Sequence, residues 1–389
     1  MERRIAHLDM DAFYASVELL RYPQLKGLAV VIGGGRRRKS PPRVEEEFAR
    51  LRDYVGRGVA TTATYEARAL GVHSAMGLMK AAALAPEAIL LPADFEAYRA
   101  YSRRFKAAVA EIAPRIEDRG IDEIYIDLTE VPGETVPLAQ RIKDNVRSAT
   151  GLSCSIGITH NKLLAKIASE LQKPDGLTVV THEDLANRIW PLPARKINGV
   201  GPRANARLEA LDIRTIGDLA QAPPEKLIEH FGERYGRWLC EAAHGRDERP
   251  VMTEQEPKSV SRETTFERDL HPRRDRDALS RILLVLCQSL SADLQRKGYA
   301  GRTIGVKLRY DDFRTVTRDH TLEDATDDPQ AIRNAARTCL KRVVLDRKLR
   351  LLGVRAGSLV RAGQQEQART PHRRSEEESE AGQSLRLFD

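Results

Sequence analysis

The chain has 389 residues, length for about two to four domains with apolar cores, and 64 Lys+Arg against 56 Asp+Glu leave a formal charge of +8. Cys154, Cys240, Cys287 and Cys339 lie far apart without a CxxC pair, which excludes a disulfide framework or cysteine zinc site and fits a reducing cytoplasm. No apolar run approaches the ~18 residues of a membrane span, and no leader-like segment opens the chain, so a soluble, cytoplasmic protein without a membrane partner is expected, with a monomer as the default.

In chain order, residues 1–180 read as α/β. Short β-rich runs occur at "RIAHLD", "LAVVIG", "YIDLTEV" and "LSCSIGIT". Between them, "EAYRAYSRRFKAAVAEIAP" repeats Tyr98, Tyr101, Phe105, Ala108 and Ile112 at helical spacing. From Gly33 to Gly58 a basic, Gly/Pro-broken insert is predicted to become a short helix over Val44–Tyr54. Residues 181–245 read as short helices separated by Pro and Gly, and "GRDERPVMTEQEPK" as a linker. Residues 257–362 return to α/β, with strands at "SVSRETTFERDL", "RTIGVKLRY" and "LRLLGVRAGSLV" and one long helix at "RRDRDALSRILLVLCQSLSADLQRKG". The remainder is charged and poor in apolar residues, the composition of a disordered tail, and ends in an apolar tip.

Two acidic clusters stand out. Asp9 and Asp11 close the first strand, and Asp122, Glu123 and Asp127 lie in "RGIDEIYIDL". Neighbours in a regular strand face opposite ways, but Arg119-Gly120 signals a hairpin turn where Asp122 and Glu123 can lean together. Adjacent strands would then gather carboxylates that resist joint ionisation unless cations neutralise them. Hard oxygen ligands suit Mg²⁺, and two ions ~3.5–4 Å apart are the usual device for displacement at phosphorus. Helix capping by Asp9 and Asp11, with Asp122 and Glu123 decorating a turn, is the plainer alternative.

Cationic groups are available for a triphosphate. Tyr65 and Arg68 are three apart in "TYEARALG", and Lys166 and Lys173 seven apart in "NKLLAKIASELQKPDG", each pair on one helical face, for which a solvated surface is the plainer alternative. "ARKINGVGPRANARLEALDIRTIGDLAQ" reads as helix–hairpin–helix. The loop Asn198-Gly199-Val200-Gly201 and a helix opened by Pro202 would offer backbone N–H groups to DNA phosphate, helped by Arg203 and Arg207. A plain Gly-rich turn is the alternative, and Thr215-x-x-Asp218 looks like a capping box. Beside these signals the basic balance gains meaning as nucleic-acid affinity.

Together "HLDMDAFYASVE", "YEAR", "IDEIYIDLT", "SIGITHNKLLAKIASELQKPDG" and "INGVGPRANARLEALDIRTIGDL" resemble the Y-family DNA polymerases, in their DNA polymerase IV (DinB) branch, over residues 1–362. The resemblance implies an α/β multi-domain right hand. Its palm of mixed sheet and helices would span 1–12 and 95–180, and small fingers 13–94 with an insert at 36–58. A helical thumb with the helix–hairpin–helix would span 181–245, a linker 246–256, an α/β little finger 257–362 and a tail 363–389.

It further implies Asp9, Asp122, Glu123 and the Met10 carbonyl as ligands of two Mg²⁺ ions, with Asp9, Asp122 and Glu123 catalytic. Asp11 matches an acidic position that is not a primary ligand, so capping remains its reading. Tyr14 would be the steric gate that excludes ribonucleotides, with Phe13 as packing. Tyr65, Arg68 and Lys173 would contact the triphosphate, with Lys173 preferred to Lys166 because it precedes Pro174-Asp175-Gly176. Gly199, Val200, Gly201 and Arg203 would hold DNA backbone. Small residues from Val59 to Thr62 would roof the base pair loosely.

The implied activity is low-fidelity, template-directed translesion synthesis from dNTP and primer-template DNA, without a proofreading exonuclease. The tail's Leu385, Leu387 and Phe388 resemble a sliding-clamp peptide, with Ser384 in place of the usual glutamine. Gly120 departs from the family's usual serine and would loosen the hairpin, and the insert is longer than the norm. The rivals are a non-catalytic DNA-binding relative and a hairpin-containing nuclease or glycosylase.

Overall fold

The computed structural model describes residues 3–34 and 48–361. The chain forms two compact units that divide between Glu254 and Gln255.

In the first unit the chain runs β1 Ile5–Met10, α1 Phe13–Arg21, β2 Val30–Gly33, β3 Ala60–Ala63, α2 Tyr65–Ala69, α3 Leu78–Leu84, β4 Ile89–Leu91 and α4 Phe95–Ala110. It continues with β5 Ile116–Asp118, β6 Glu123–Asp127, α5 Thr135–Thr150, β7 Cys154–Thr159, α6 Lys162–Glu170 and β8 Leu177–Val179. The main sheet has the order β5-β6-β1-β7-β8. Its central strand β1 is antiparallel to both neighbours, with His7 opposite Tyr125 and Gly157, and Asp9 opposite Glu123 and Ser155.

Alternation along β1 sorts its residues by face. Ala6, Leu8 and Met10 join the core made with Tyr98, Phe105 and Val109 of α4 and Leu138, Ile142 and Val146 of α5. Ile5, on the opposite face, packs with Tyr125 and with Ala165 of α6. His7 and Asp9 share the parity of Ile5 and therefore lie on the α6 face. That face can come so close only because Gly157 has no side chain. A Cβ there would lie 2.2 Å from Ser169 N and 2.4 Å from the Ala165 carbonyl oxygen.

A second sheet, β3-β2-β4, carries α2 and α3 and has its own small core of Val31, Leu51, Ala60, Ala63, Val72 and Leu78. The helix expected over Val44–Tyr54 falls partly outside the described residues. Within them, 48–54 holds a single 3-10 turn, Leu51–Asp53, tied to the Ala88 and Pro86 carbonyls by N–H bonds of 2.9 and 3.0 Å. Residues 181–245 are helical, as expected, and include α7 Pro202–Glu209, α8 Ile216–Gln221, α9 Pro224–Phe231 and α10 Glu233–Ala243. Thr215 and Asp218 form the reciprocal capping box of α8.

The polar stretch read as a linker is docked over its first half. Leu163 N donates to Asp247 at 3.0 Å, Lys162 Nζ to the Pro250 carbonyl at 3.2 Å and Met252 N to the buried Glu117 carboxylate at 2.8 Å, while Val251 is buried.

The second unit is one antiparallel sheet, β11-β10-β12-β9, packed against two helices. Its elements are β9 Ser259–Leu270, α11 Arg276–Lys297, β10 Tyr299–Tyr310, β11 Thr315–Thr326, α12 Pro329–Leu340 and β12 Leu349–Arg361. Strand β11 escaped the sequence reading because none of its residues is buried. It is a charged edge strand of the kind that discourages pairing with other chains.

Candidate active site

The register of β1 and β6 builds the centre. Asp9 and Glu123 are cross-strand partners, and the ladder is extended by Met10 N, which donates to the Asp122 carbonyl at 3.0 Å. Asp122 precedes β6 at the end of the β5–β6 hairpin. The acids therefore meet at one sheet edge, and helix α1 follows at once with Tyr14. Ligand atoms of His7, Asp9 and Glu123 lie within 4.8 Å of one another, with Asp122 alongside.

Burial raises the Asp9 carboxyl above its ordinary range despite Lys173, and nearby Asp122 adds to the rise. Asp122 is raised for the same reason, with Glu123 as the second cause. The protein's own cations thus leave these carboxylates short of positive charge. Lys173 Nζ donates to Asp9, and to Glu170 at 3.1 Å, while Lys166 Nζ donates to Glu123. Ammonium groups rest on the carboxylates that would ligate cations, and an all-oxygen acidic set of this kind suits a hard divalent ion.

The hairpin behind the acids is firmly tied. Lys106 Nζ reaches both Asp118 oxygens at 2.9 and 2.8 Å and the Gly120 carbonyl at 2.6 Å. A Cβ on Gly120 would meet only ordinary contacts, Glu123 Cγ at 3.6 Å and Asp122 Oδ1 at 3.7 Å. The backbone at Gly120 would therefore accept the family's usual serine without a clash, while the Lys106 bonds tie the turn with glycine in place.

Asp11 is not a helix cap. The N-cap residue of α1 is Ala12, without a side-chain bond, and the buried Asp11 carboxylate accepts from Ser153 Oγ, Ser155 Oγ and Asp175 N, each at 2.8 Å. It fastens the Lys173–Gly176 loop to the end of β1. Phe13 is buried and packs edge-on against Phe105, as expected of a packing residue. Tyr14 stacks on Tyr98 at 4.4 Å and 23°, with Phe95 edge-on at 5.9 Å. Tyr98 is fixed in turn by donating to Glu18 at 2.8 Å.

On α2, Arg68 lies 5.1 Å from the Tyr65 ring centroid and donates to the Ala63 carbonyl at 3.0 Å. The Tyr65 hydroxyl is buried without a hydrogen-bond partner among the described residues, and burial pushes its pKa up to about 12. A buried donor left unmade costs stability and is a natural place for a phosphate oxygen to be received.

In the thumb-type segment the first helix of the hairpin is only a 3-10 turn, Ala194–Lys196. Gly199 takes φ +118°, where its missing side chain also makes room for Trp238. Val200 faces inward, buried, and its N–H donates to the Ile197 carbonyl at 2.9 Å. Among the described residues, nothing accepts from Gly199 N or Gly201 N or pairs with Arg203. Arg207 is engaged, over the Phe231 ring at 4.7 Å.

Two further residues join the site, His7, which the sequence reading did not single out, and Lys166, which it weighed for the triphosphate and set behind Lys173. His7, buried, contacts Ser169 Oγ at 2.8 Å and Glu123 at 3.4 Å, and Lys166 takes a carboxylate rather than solvent. The signal for His7 was its i, i+2 relation to Asp9, which fixes a shared face.

Residues 8–170 match the impB/mucB/samB family, 257–369 its C-terminal domain, and 195–247 the DNA polymerase-iota thumb domain. DNA polymerase IV of Alkalilimnicola ehrlichii is 39% identical over 362 residues, covering 92% of this chain and 96% of that protein. DNA polymerase IV of Streptococcus suis is 37% identical over 358 residues, covering 91% and 96%. A solved Y-family DNA polymerase chimera superposes with a TM-score of 0.76 at 26% identity, over 92% of this chain and 99% of that one. With relatives of this identity covered over nearly their whole length, the chain belongs to the impB/mucB/samB family of Y-family DNA polymerases.

Proposed function

We propose that the chain extends DNA primers with Asp9, Asp122, Glu123 and the Met10 carbonyl holding two Mg²⁺ ions. As a family member it is a DNA-directed DNA polymerase of the low-fidelity translesion class, dependent on divalent metal, acting on primer-template DNA and dNTP, and without proofreading. The observation that carries the site assignment is the register that sets Asp9 opposite Glu123 with Asp122 beside them. Divalent ions bound there would favour the deprotonated primer 3′-hydroxyl and offset charge on the α-phosphate and the leaving pyrophosphate.

The chain's own residues do the rest. Tyr65, Arg68 and Lys173 would bind and orient the triphosphate. Tyr14 excludes a 2′-hydroxyl. Gly199 and Gly201 N–H groups and Arg203 hold the DNA backbone, with Val200 anchoring the loop from within. The palm (1–12, 95–180), fingers (13–94), thumb (181–245), linker (246–256) and little finger (257–362) keep the boundaries given above. The reading includes a monomer acting in the cytoplasm. No helix among the described residues is long and apolar enough to cross a membrane.

Primer extension with dNTPs and Mg²⁺ tests the reading. Template-specified addition that stops on chelation is expected. DNA binding without addition would favour the non-catalytic rival, and strand or base cleavage the repair-enzyme rival.

The sliding-clamp partner rests on sequence alone, because Leu385, Leu387 and Phe388 lie outside the described residues. Deleting residues 384–389 is expected to weaken clamp-stimulated synthesis and leave clamp-free extension unchanged. Equal stimulation of the truncated and full chains would remove this part of the proposal.

A further inference from the structure

We propose that Lys166, locked in place by His7 and Ser169, is the positioning residue that aims Glu123. The inference rests on the site assignment above and deepens it. Helix α6 and the turn after it present Lys162, Lys166, Ser169 and Lys173 at spacings of three to four residues, which is one helical stripe. Each member meets a different partner on the sheet. Lys162 meets Glu117, Lys166 meets Glu123, Ser169 meets His7 and Lys173 meets Asp9.

The hydrogen bonds of this stripe fix a direction. With the single Ser169 Oγ proton given to the Lys166 carbonyl at 2.9 Å, the 2.8 Å contact with His7 Nδ1 is assigned to a ring N–H donor. Nε2 is then the acceptor. Lys166 Nζ, an ammonium without a lone pair, stands 3.5 Å from Nε2 while donating to Glu123 Oε2. The His7 ring is 1% exposed and packed against Tyr125 at 4.8 Å, so it has no room to turn away.

Lys166 Nζ therefore faces two groups that themselves lie 3.4 Å apart, the fixed His7 Nε2 and the Glu123 Oε2. It ties one carboxylate oxygen, and among the described residues nothing bonds Oε1, which is left for a ligand. Lys173 differs, because it bridges Asp9 and Glu170 and belongs to the triphosphate group. Loss of Lys166 should thus disturb the chemical step and spare nucleotide affinity, whereas loss of Lys173 should do the reverse.

The test is transient single-nucleotide insertion by the full chain on primer-template DNA with Mg²⁺, combined with ¹⁵N NMR of the histidine rings. Outer residues that orient a metal ligand typically contribute about 10- to 100-fold, so Lys166→Met should slow insertion by roughly that factor with nucleotide Kd within about twofold. Lys166→Arg should recover part of the rate, and Lys173→Met should raise Kd. The NMR spectrum should show His7 as the Nδ1–H tautomer, replaced by a mixture in Ser169→Ala. This small substitution, which should also slow insertion, decides the matter if Lys166→Met does not fold.

An unchanged rate in Lys166→Met, a Kd raised as in Lys173→Met, or an Nε2–H tautomer in the unmodified protein would overturn the proposal. Glu123→Ala in the same assay separates the two levels. If it is inactive while Lys166→Met is normal, only the positioning role falls, and if it is active, the site assignment falls with it.

Discussion

Alanine at both Asp122 and Glu123 is expected to lower primer extension by roughly 1,000-fold or more, about 4 kcal/mol of transition-state stabilisation, while DNA affinity stays unchanged. The fold should survive, because the contribution of Asp122 to the sheet is its carbonyl, which accepts from Met10 N at 3.0 Å, and the Lys106 bonds to Asp118 and Gly120 hold the turn without either side chain. Removing Asp122 also takes away a carboxyl that burial and Glu123 already hold above its ordinary pKa. Lys166, about a quarter exposed, can turn to solvent when Glu123 is gone. Single-turnover extension and fluorescence anisotropy on the same DNA measure the two quantities. Extension retained near the parental rate would refute the assignment of these acids.

Tyr14→Ala should admit ribonucleotides, reducing discrimination against the 2′-hydroxyl by roughly 100-fold. The proposed gate would work through rigidity. Its ring lies against Tyr98 at 4.4 Å and 23°, and Tyr98 is fixed by its 2.8 Å bond to the buried Glu18. A ring held this way cannot step aside for an extra oxygen, whereas an alanine leaves the space open. Tyr14→Phe keeps the ring and should keep the discrimination. Insertion efficiencies of matched ribo- and deoxynucleotides check both variants, and unchanged selectivity in Tyr14→Ala would rule out the gate.

Much of this site is legible in sequence because its parts are local. The "HLDMD" strand end, the turn before "IDE" and the "YEAR" helix each announce themselves within a few residues. What was hidden depends on distant partners. Asp11 reads as a helix cap until folding brings Ser153, Ser155 and Asp175 to it. A histidine in an apolar strand looks like core, and only the approach of α6, made close by Gly157, gives His7 its polar neighbours. Lys166 and Lys173 occupy one stripe, and sequence alone does not say that each meets a separate acid. The docked start of the linker depends on Glu117, which is more than a hundred residues away. Strand β11 lacks the apolar alternation that marks a half-buried strand.

The most direct test of the account is the anomalous difference map of a crystal grown with primer-template DNA, a non-hydrolysable dNTP and Mn²⁺. Two metal peaks are expected beside the α-phosphate, held among the Asp9, Asp122 and Glu123 carboxylates. A metal bound elsewhere, or a nucleotide seated away from these three acids, would contradict it.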